Sequence, residues 1–374
     1  MHESPLLPLH RAASARITAP EQGARLLTYG DVPAEYRAAN EGAALFDRTE
    51  RGLVRVTGAD APAFLHRIVA GEVRGLDPGT GGRNLLLSPK GKVLFDFDLL
   101  PCEGGFELST TPGQAGALRE SLDVYLFAED VELADVTESH APLEITGPTA
   151  AAVLERAFGS PPPAKRYQPV HIEWEGAPVA LVALAVAGSP GFRIDGGPAL
   201  AEPLWNSLTA AAATPAGLVV WDILRVEACA AEPGVDVDET VYPQEARLEA
   251  AFSLEKGCYV GQEVVAKIDT YGGLNKLLVT LRVDHDDPVA SGTRLYRQDE
   301  KSDEWRDLGV VTSWAYSFVL DTGLVLAYVK RRHQDVGTRF QSGRARARRR
   351  SWRSRFADVP NATSESPRAC PRSS

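Results

Sequence analysis

The chain has 374 residues, 44% apolar and 24% charged, values of a globular protein large enough for two or three domains. No apolar run approaches the roughly 18 residues of a membrane-spanning helix, and a formal charge of −10 disfavours non-specific nucleic-acid binding. Four cysteines, at 102, 229, 258 and 370, show neither a CxxC pair nor metal-ligand spacing, which argues for a reducing cytoplasm and against a bound metal.

The opening MHESPLLPLHRAASARIT lacks the apolar block of a secretory signal, and residues 1–25 read as a flexible N-terminus. LVRVTGADAPAFLHRI (53–68) predicts an alternating strand, a turn at Gly58 and a helix beginning near Asp60, with Pro62 in its first turn. PLEITGPTAAAVLERA (142–157) repeats that plan, with Gly147 answering Gly58 and Leu154 answering Leu65. GFELSTTPGQAGALRESL (105–122) and GFRIDGGPALAEPLWNSL (191–208) echo each other at nearly the same offset. Two echoes at one spacing indicate an internal duplication.

Each copy reads as strand, helix, strands, helix, strand, and RNLLLSPKGKVLFDFDLL in the first is a hairpin turning at 88–92. The order predicts an α+β fold with two related units, at 26–140 and 141–275, each a mostly antiparallel sheet with helices on one face. Past Lys276, KLLVTLRV, GTRLY, LGVVTS and LVLAYVK predict a small antiparallel β-barrel over 276–341, its closing strand expected just after Phe340. Composition then changes abruptly. Residues 342–374 hold nine Arg, no Lys and two acids without apolar periodicity, so this Arg-rich tail is expected to be disordered. Without it the chain counts 31 basic and 48 acidic residues and is strongly acidic.

The chemistry concentrates in EKGCYVGQEVVAKIDTYG (255–272). Helix propensity returns at Gln262, with Val264, Val265 and Ile268 facing inward, which puts Cys258 within a turn or so of a helix N-terminus. Backbone N–H groups and the helix dipole stabilise a thiolate there; Lys256 and a folded-back Lys267 would add positive charge, with Glu263 opposing. Gly257 and Gly261 permit a tight backbone. The pattern suits a reactive or ligand-binding thiol, and equally a small buried hydrophobe, the usual fate of a free cysteine.

KGCYVGQE, carrying Tyr259 and Gln262 beside Cys258, resembles the signature of YgfZ-type folate-binding proteins, relatives of the glycine cleavage T protein. That group includes a mitochondrial iron–sulfur assembly factor. Lys267 and Lys276 stand where the family usually shows Arg, which keeps the charge but loses bidentate hydrogen bonding. YGDVPAEYRAANEGAALFDRTERGLVRVTGADAPAFL, DILRVEACAAEPGVDVDETVYPQEARL and LGVVTSWAYSFVLDTGLVLAYV are similar to T-protein segments, so the resemblance covers residues 26 to 340.

The resemblance implies a monomeric three-domain cloverleaf with a reduced folate, tetrahydrofolate or a relative, in a central channel. It makes Asp96, Tyr29, Tyr36 and Glu227 the folate-side residues and Cys258 with Lys256 the working pair. The enzymatic branch uses an Asp pair and a pterin-reading Glu. Here Phe95 replaces one Asp, Asp96 keeps the other, and Ser189 in GSPG occupies the Glu position. The implied function is tetrahydrofolate binding in support of iron–sulfur cluster assembly or repair, with iron–sulfur proteins or assembly factors as partners. The alternative is a folate-dependent aminomethyltransferase or methyltransferase.

Overall fold

Gly58 and Gly147 open the two copies of the repeat in the same way. Each sits at positive φ, +114° and +121°, and a Cβ on either would press into a backbone oxygen, of Asp130 and Gly42 respectively. These turns carry the strand Gly52–Thr57 into the helix Ala61–Ile68, and the strand Leu143–Thr146 into the helix Ala150–Phe158. The later echo holds too: Gly105–Thr110 leads to the helix Ala115–Asp123, and Ser189–Asp195 to the helix Ala201–Ala210. The computed structural model from which these elements are taken describes residues 3–285, 287–299, 304–342 and 351–353.

The helices bury their apolar faces against their own sheets. Phe64, Leu65 and Ile68 pack with Val54, Val56, Leu99 and Leu108 in one core. Val153, Leu154, Leu204 and Leu208 pack with Leu143, Ile145 and Leu181 in another. Burying each such side chain contributes on the order of 1.5–3 kcal/mol.

The first sheet runs Gly82–Leu87, Val93–Cys102, Gly105–Thr110, Gly52–Thr57, Glu132–Asp135, antiparallel throughout. The second runs Val170–Trp174, Ala177–Val186, Ser189–Asp195, Leu143–Thr146, Ala44–Asp47, Thr214–Ala216, with only the last pairing parallel.

Within 26–140 one strand, Ala44–Asp47, joins the sheet of the second unit, because the repeats exchange their leading strands. Ala44–Asp47 precedes the first copy yet pairs with Leu143–Thr146 of the second. Glu132–Asp135 precedes the second copy yet pairs with Gly52–Thr57 of the first. The stretch expected to be a flexible N-terminus is also anchored. It forms the helix Leu7–Ala12, with Leu6 in the core of the second unit, Leu7 buried, and His10 Nε2 3.0 Å from Asp47 Oδ2.

Lys276–Val283, Thr322–Lys330, Trp305–Ser317, Arg294–Gln298, Arg339–Ser342 and Ser351–Arg353 close a barrel in that order. Val279, Leu281, Val325, Ala327 and Phe340 fill it. The closing strand Ser351–Arg353 falls inside the tail expected to be disordered, whose other residues past Ser342 lie outside the described ones. At three residues it is too short to show a period.

A further core joins all three bodies: Leu85 and Leu87 of the first sheet, Phe46 and Leu184 of the second, Leu278, Leu326 and Tyr328 of the barrel. This is the three-domain arrangement the resemblance implies. Among the described residues no helix is long and apolar enough to cross a membrane, and no cluster of His, Cys, Asp and Glu could hold a metal ion.

Candidate functional site

Where the inner faces of the two sheets meet, the interior is charged. Arg83 grips Asp96 in a fork, Nε to Oδ1 at 2.8 Å and Nη2 to Oδ2 at 2.5 Å. Arg193 crosses between the sheets, donating from Nε to Glu144 at 2.9 Å and from Nη2 to Asp98 at 2.7 Å. Arg51 adds a longer contact to Asp98, 3.4 Å, and holds Ser109. Burial pushes the Asp98 and Glu144 carboxyls up, but Arg193 and Arg51 outweigh it and hold both below the usual carboxylate range.

Asp96, on the same face of its strand as Asp98, faces the intersheet interior with each of its oxygens bonded to Arg83. Phe95, one residue earlier, packs on the opposite, helix-covered face.

Tyr36 and Glu227, far apart in sequence, meet directly. Tyr36 Oη donates to Glu227 Oε1 at 2.8 Å and Oε2 at 2.9 Å. The helices Val32–Glu41 and Leu218–Glu227 bring them together, and the barrel strand Trp305–Ser317 adds the Ser317 hydroxyl. Burial raises the Glu227 carboxyl above its usual range, and the two hydroxyls only partly oppose it. Among the described residues no cation pairs with it. Phe318 lies tilted against Tyr36 with ring centroids 5.3 Å apart. The turn ahead of Ser189 abuts this place: a Cβ on Gly188 would sit 2.6 Å from Ala228 Cβ and 3.0 Å from Ala230 Cβ, just after Glu227.

Tyr29, grouped with Tyr36 on sequence, goes elsewhere. Its hydroxyl lies 2.7 Å from His10 Nδ1, and its ring packs on the outer core of the second unit. The N-terminal helix, not foreseen as ordered, supplies that partner.

In the motif, Gly257 and Gly261 both have positive φ, and Gly261 caps the helix Gln262–Tyr271. A Cβ on Gly261 would lie 2.5 Å from Ser88 O, so glycine lets the loop press on the first-unit hairpin. Cys258 is exposed, three residues ahead of the cap. Lys256 does not extend its ammonium freely: Nζ donates to His66 O at 2.7 Å and Val69 O at 2.5 Å, tying the loop to the C-terminus of the helix Ala61–Ile68. Burial lowers its pKa to about 8. Its position makes it an anchor of the loop.

Glu263 and Lys267 pair with each other at 2.5 Å, one helical turn apart and exposed, so Lys267 does not fold back toward the thiol. Gln262 is half-buried in the first turn of the helix. Tyr259 is buried in the three-body core, and burial pushes its hydroxyl up to about 12. The partners of the acids, Arg83 and Arg193, were missed on sequence. Their signal was an Arg inside an otherwise apolar alternating strand.

Two family models match this chain, the GCVT N-terminal domain over residues 8–256 and the glycine cleavage T-protein C-terminal barrel domain over residues 276–353. The chain belongs to the glycine cleavage T-protein family. An aminomethyltransferase of Rubrobacter xylanophilus is 30% identical over 342 residues, covering 88% of this chain and 87% of that one. A putative chloroplastic transferase of Arabidopsis thaliana is 26% identical over 306 residues, 80% of this chain and 68% of its own length. The crystal structure of glycine cleavage system aminomethyltransferase T from Bartonella henselae matches with a TM-score of 0.84 at 25% identity, covering 95% of this chain and 97% of that one. Aminomethyltransferases of the T-protein family use tetrahydrofolate as the one-carbon acceptor. The barrel match ends at residue 353, the last residue of the strand that closes the barrel.

Proposed function

We propose that this T-protein-family chain binds a reduced folate where its three units meet and serves the one-carbon chemistry of that folate. The Tyr36–Glu227 pair carries the reading: a half-buried carboxylate held by hydroxyls and, among the described residues, by no cation, next to the turn that bears Ser189. A pterin ring presents N–H donors along one edge, and a carboxylate accepts two of them where a serine hydroxyl cannot. Glu227 supplies the acceptor that Ser189 lacks. Phe318, beside Tyr36, offers a ring face to the ligand.

Glu227→Gln should weaken tetrahydrofolate binding about 10- to 100-fold while leaving the melting temperature close to wild type. Calorimetric titration with tetrahydrofolate and its 5-methyl and 5-formyl forms reads this out. Absence of heat and of thermal shift with all three would overturn the reading.

The exposure of Cys258 favours a second reading, support of iron–sulfur enzymes with this thiol as the working group. Burial raises the thiol of Cys102 to about 11 and raises that of Cys229 as well. A limiting alkylating reagent at neutral pH should therefore label Cys258 before Cys102 or Cys229, as peptide mapping would record. Cys258→Ser should leave folate binding intact and lower iron–sulfur enzyme activity in cells under oxidative stress. Unchanged enzyme activity in that strain would remove the second reading and leave the first standing.

A further inference from the structure

At the end of the barrel away from the Tyr36–Glu227 pair, Lys330, Arg331 and Arg332 line an open cavity of about 470 Å³ with residues 272–275. That volume lies within the range of small-molecule sites. Thr322, paired with Ser317 beside Glu227, begins the strand that ends at Lys330, eight residues or about 26 Å farther on. The cavity is therefore separate from the folate junction.

The chain as far as residue 341 is strongly acidic, yet this wall is a run of three exposed cations. Among the described residues no carboxylate pairs with any of them; the acids nearby are taken, Asp307 by Arg294 and Asp299 by Arg306. Lys330 stands directly across the ladder from Lys276, a like-charge pair that costs stability. Burial and the charges of Arg297, Arg306, Lys330 and Arg332 push the His333 imidazole down, as a local excess of positive charge does.

Part of this charge has a structural duty. The cavity adjoins the C-terminus of the helix Gln262–Tyr271, where carbonyls attract cations, and Arg331 Nη1 donates to Gly272 O. Lys330 Nζ donates to Asp307 O at 2.8 Å. Arg332 has no such duty. Its side chain has no hydrogen-bond partner among the described residues, and its φ of +76° is a left-handed conformation that a non-glycine residue rarely adopts. A Cβ on Gly273 would meet nothing within 4 Å, so the space before these cations is clear.

We propose that this cavity holds the phosphate of a small molecule, an organic monoester or an inorganic diphosphate. The anion bridges Lys330 and Arg332 through charge-assisted hydrogen bonds and offsets the repulsion between Lys276 and Lys330. A carboxylate or sulfonate, with a single charge, offsets less of it.

The probes are phenyl phosphate and pyrophosphate, with benzenesulfonate as control, titrated into the full chain near pH 8, where a phosphate monoester carries close to two charges. Calorimetry and phosphorus NMR should show both phosphates binding at one site, and benzenesulfonate at least about tenfold weaker. Whichever phosphate binds tighter identifies the source, monoester or diphosphate. Arg332→Gly suits the left-handed backbone, so it should melt at or above the wild-type temperature while binding both phosphates at least about tenfold more weakly. Lys330→Gln should weaken them likewise, and serves if the first variant does not fold. Both variants should leave the tetrahydrofolate titration unchanged. Failure of both phosphates to bind at about 0.15 M salt, benzenesulfonate binding as tight as theirs, or phosphate binding that survives both substitutions overturns the proposal. Joint loss of phosphate and tetrahydrofolate binding in a folded variant would seat the folate's own carboxylates here and overturn it as a separate site.

Discussion

Offered an aminomethylated lipoyl carrier and tetrahydrofolate, the protein should form methylene-folate about 10²–10⁴-fold more slowly than its aminomethyltransferase relatives, the usual cost of losing a positioned acid or base. Two acids that the resemblance assigns to the enzymatic branch are replaced, by Phe95 and Ser189. The acid that remains in the pair, Asp96, has both oxygens bonded to Arg83. A carboxylate so paired is a poor proton acceptor, because the guanidinium stabilises its charged form. Steady-state assay of methylene-folate beside a relative, under the same carrier concentration, decides the matter. Turnover at the relative's rate would make this chain an aminomethyltransferase and show that Asp96 and Glu227 suffice.

Arg193→Met should destabilise the protein by about 3–5 kcal/mol, the range for breaking a buried pair from one side. The loss comes from what the substitution leaves behind. Glu144 is 1% exposed and loses both of its bonds to Arg193, and Asp98 keeps only the longer contact to Arg51. Chemical denaturation reads the loss, and adding Asp98→Asn and Glu144→Gln should restore much of it by removing the orphaned charges. The pH dependence has a fixed sign. Both carboxyls are held low in the folded protein, so their stabilisation is present above the unfolded values of about 4 and is lost as pH falls through the folded ones. The gap between wild type and Arg193→Met should therefore narrow in acid. An Arg193→Met protein as stable as wild type at neutral pH would mean the network is solvated and not a buried clasp.

Local chemistry that repeats was legible in the sequence. Gly58 and Gly147 gave away both strand-to-helix turns, because a positive φ beside a close backbone demands the same residue each time. The alternating strands past Lys276 gave away the barrel. Partners chosen across the chain were not legible. Lys256 sits two residues from Cys258, yet its ammonium is fixed by carbonyls of the helix Ala61–Ile68. Tyr29 and Tyr36 lie seven positions apart and serve different cores. Side-chain type says what a group can bind, while topology decides which group it finds.

The exchanged strands set an order of events on the ribosome. Residues 52–135 contain the whole first sheet, so it can close as soon as they emerge. Ala44–Asp47 leaves first but must wait for Leu143–Thr146, about 100 residues or, at ~5–20 residues per second, about 5–20 s of synthesis. Throughout that interval a finished apolar strand, with Leu45 and Phe46 destined for two different cores, has nothing of its own to pair with, and only near its end does the first sheet close beside it. A nascent chain stalled near residue 140 is thus the species in which this protein is most open to chaperones and to aggregation, and separate expression of the two repeats would make that transient state permanent.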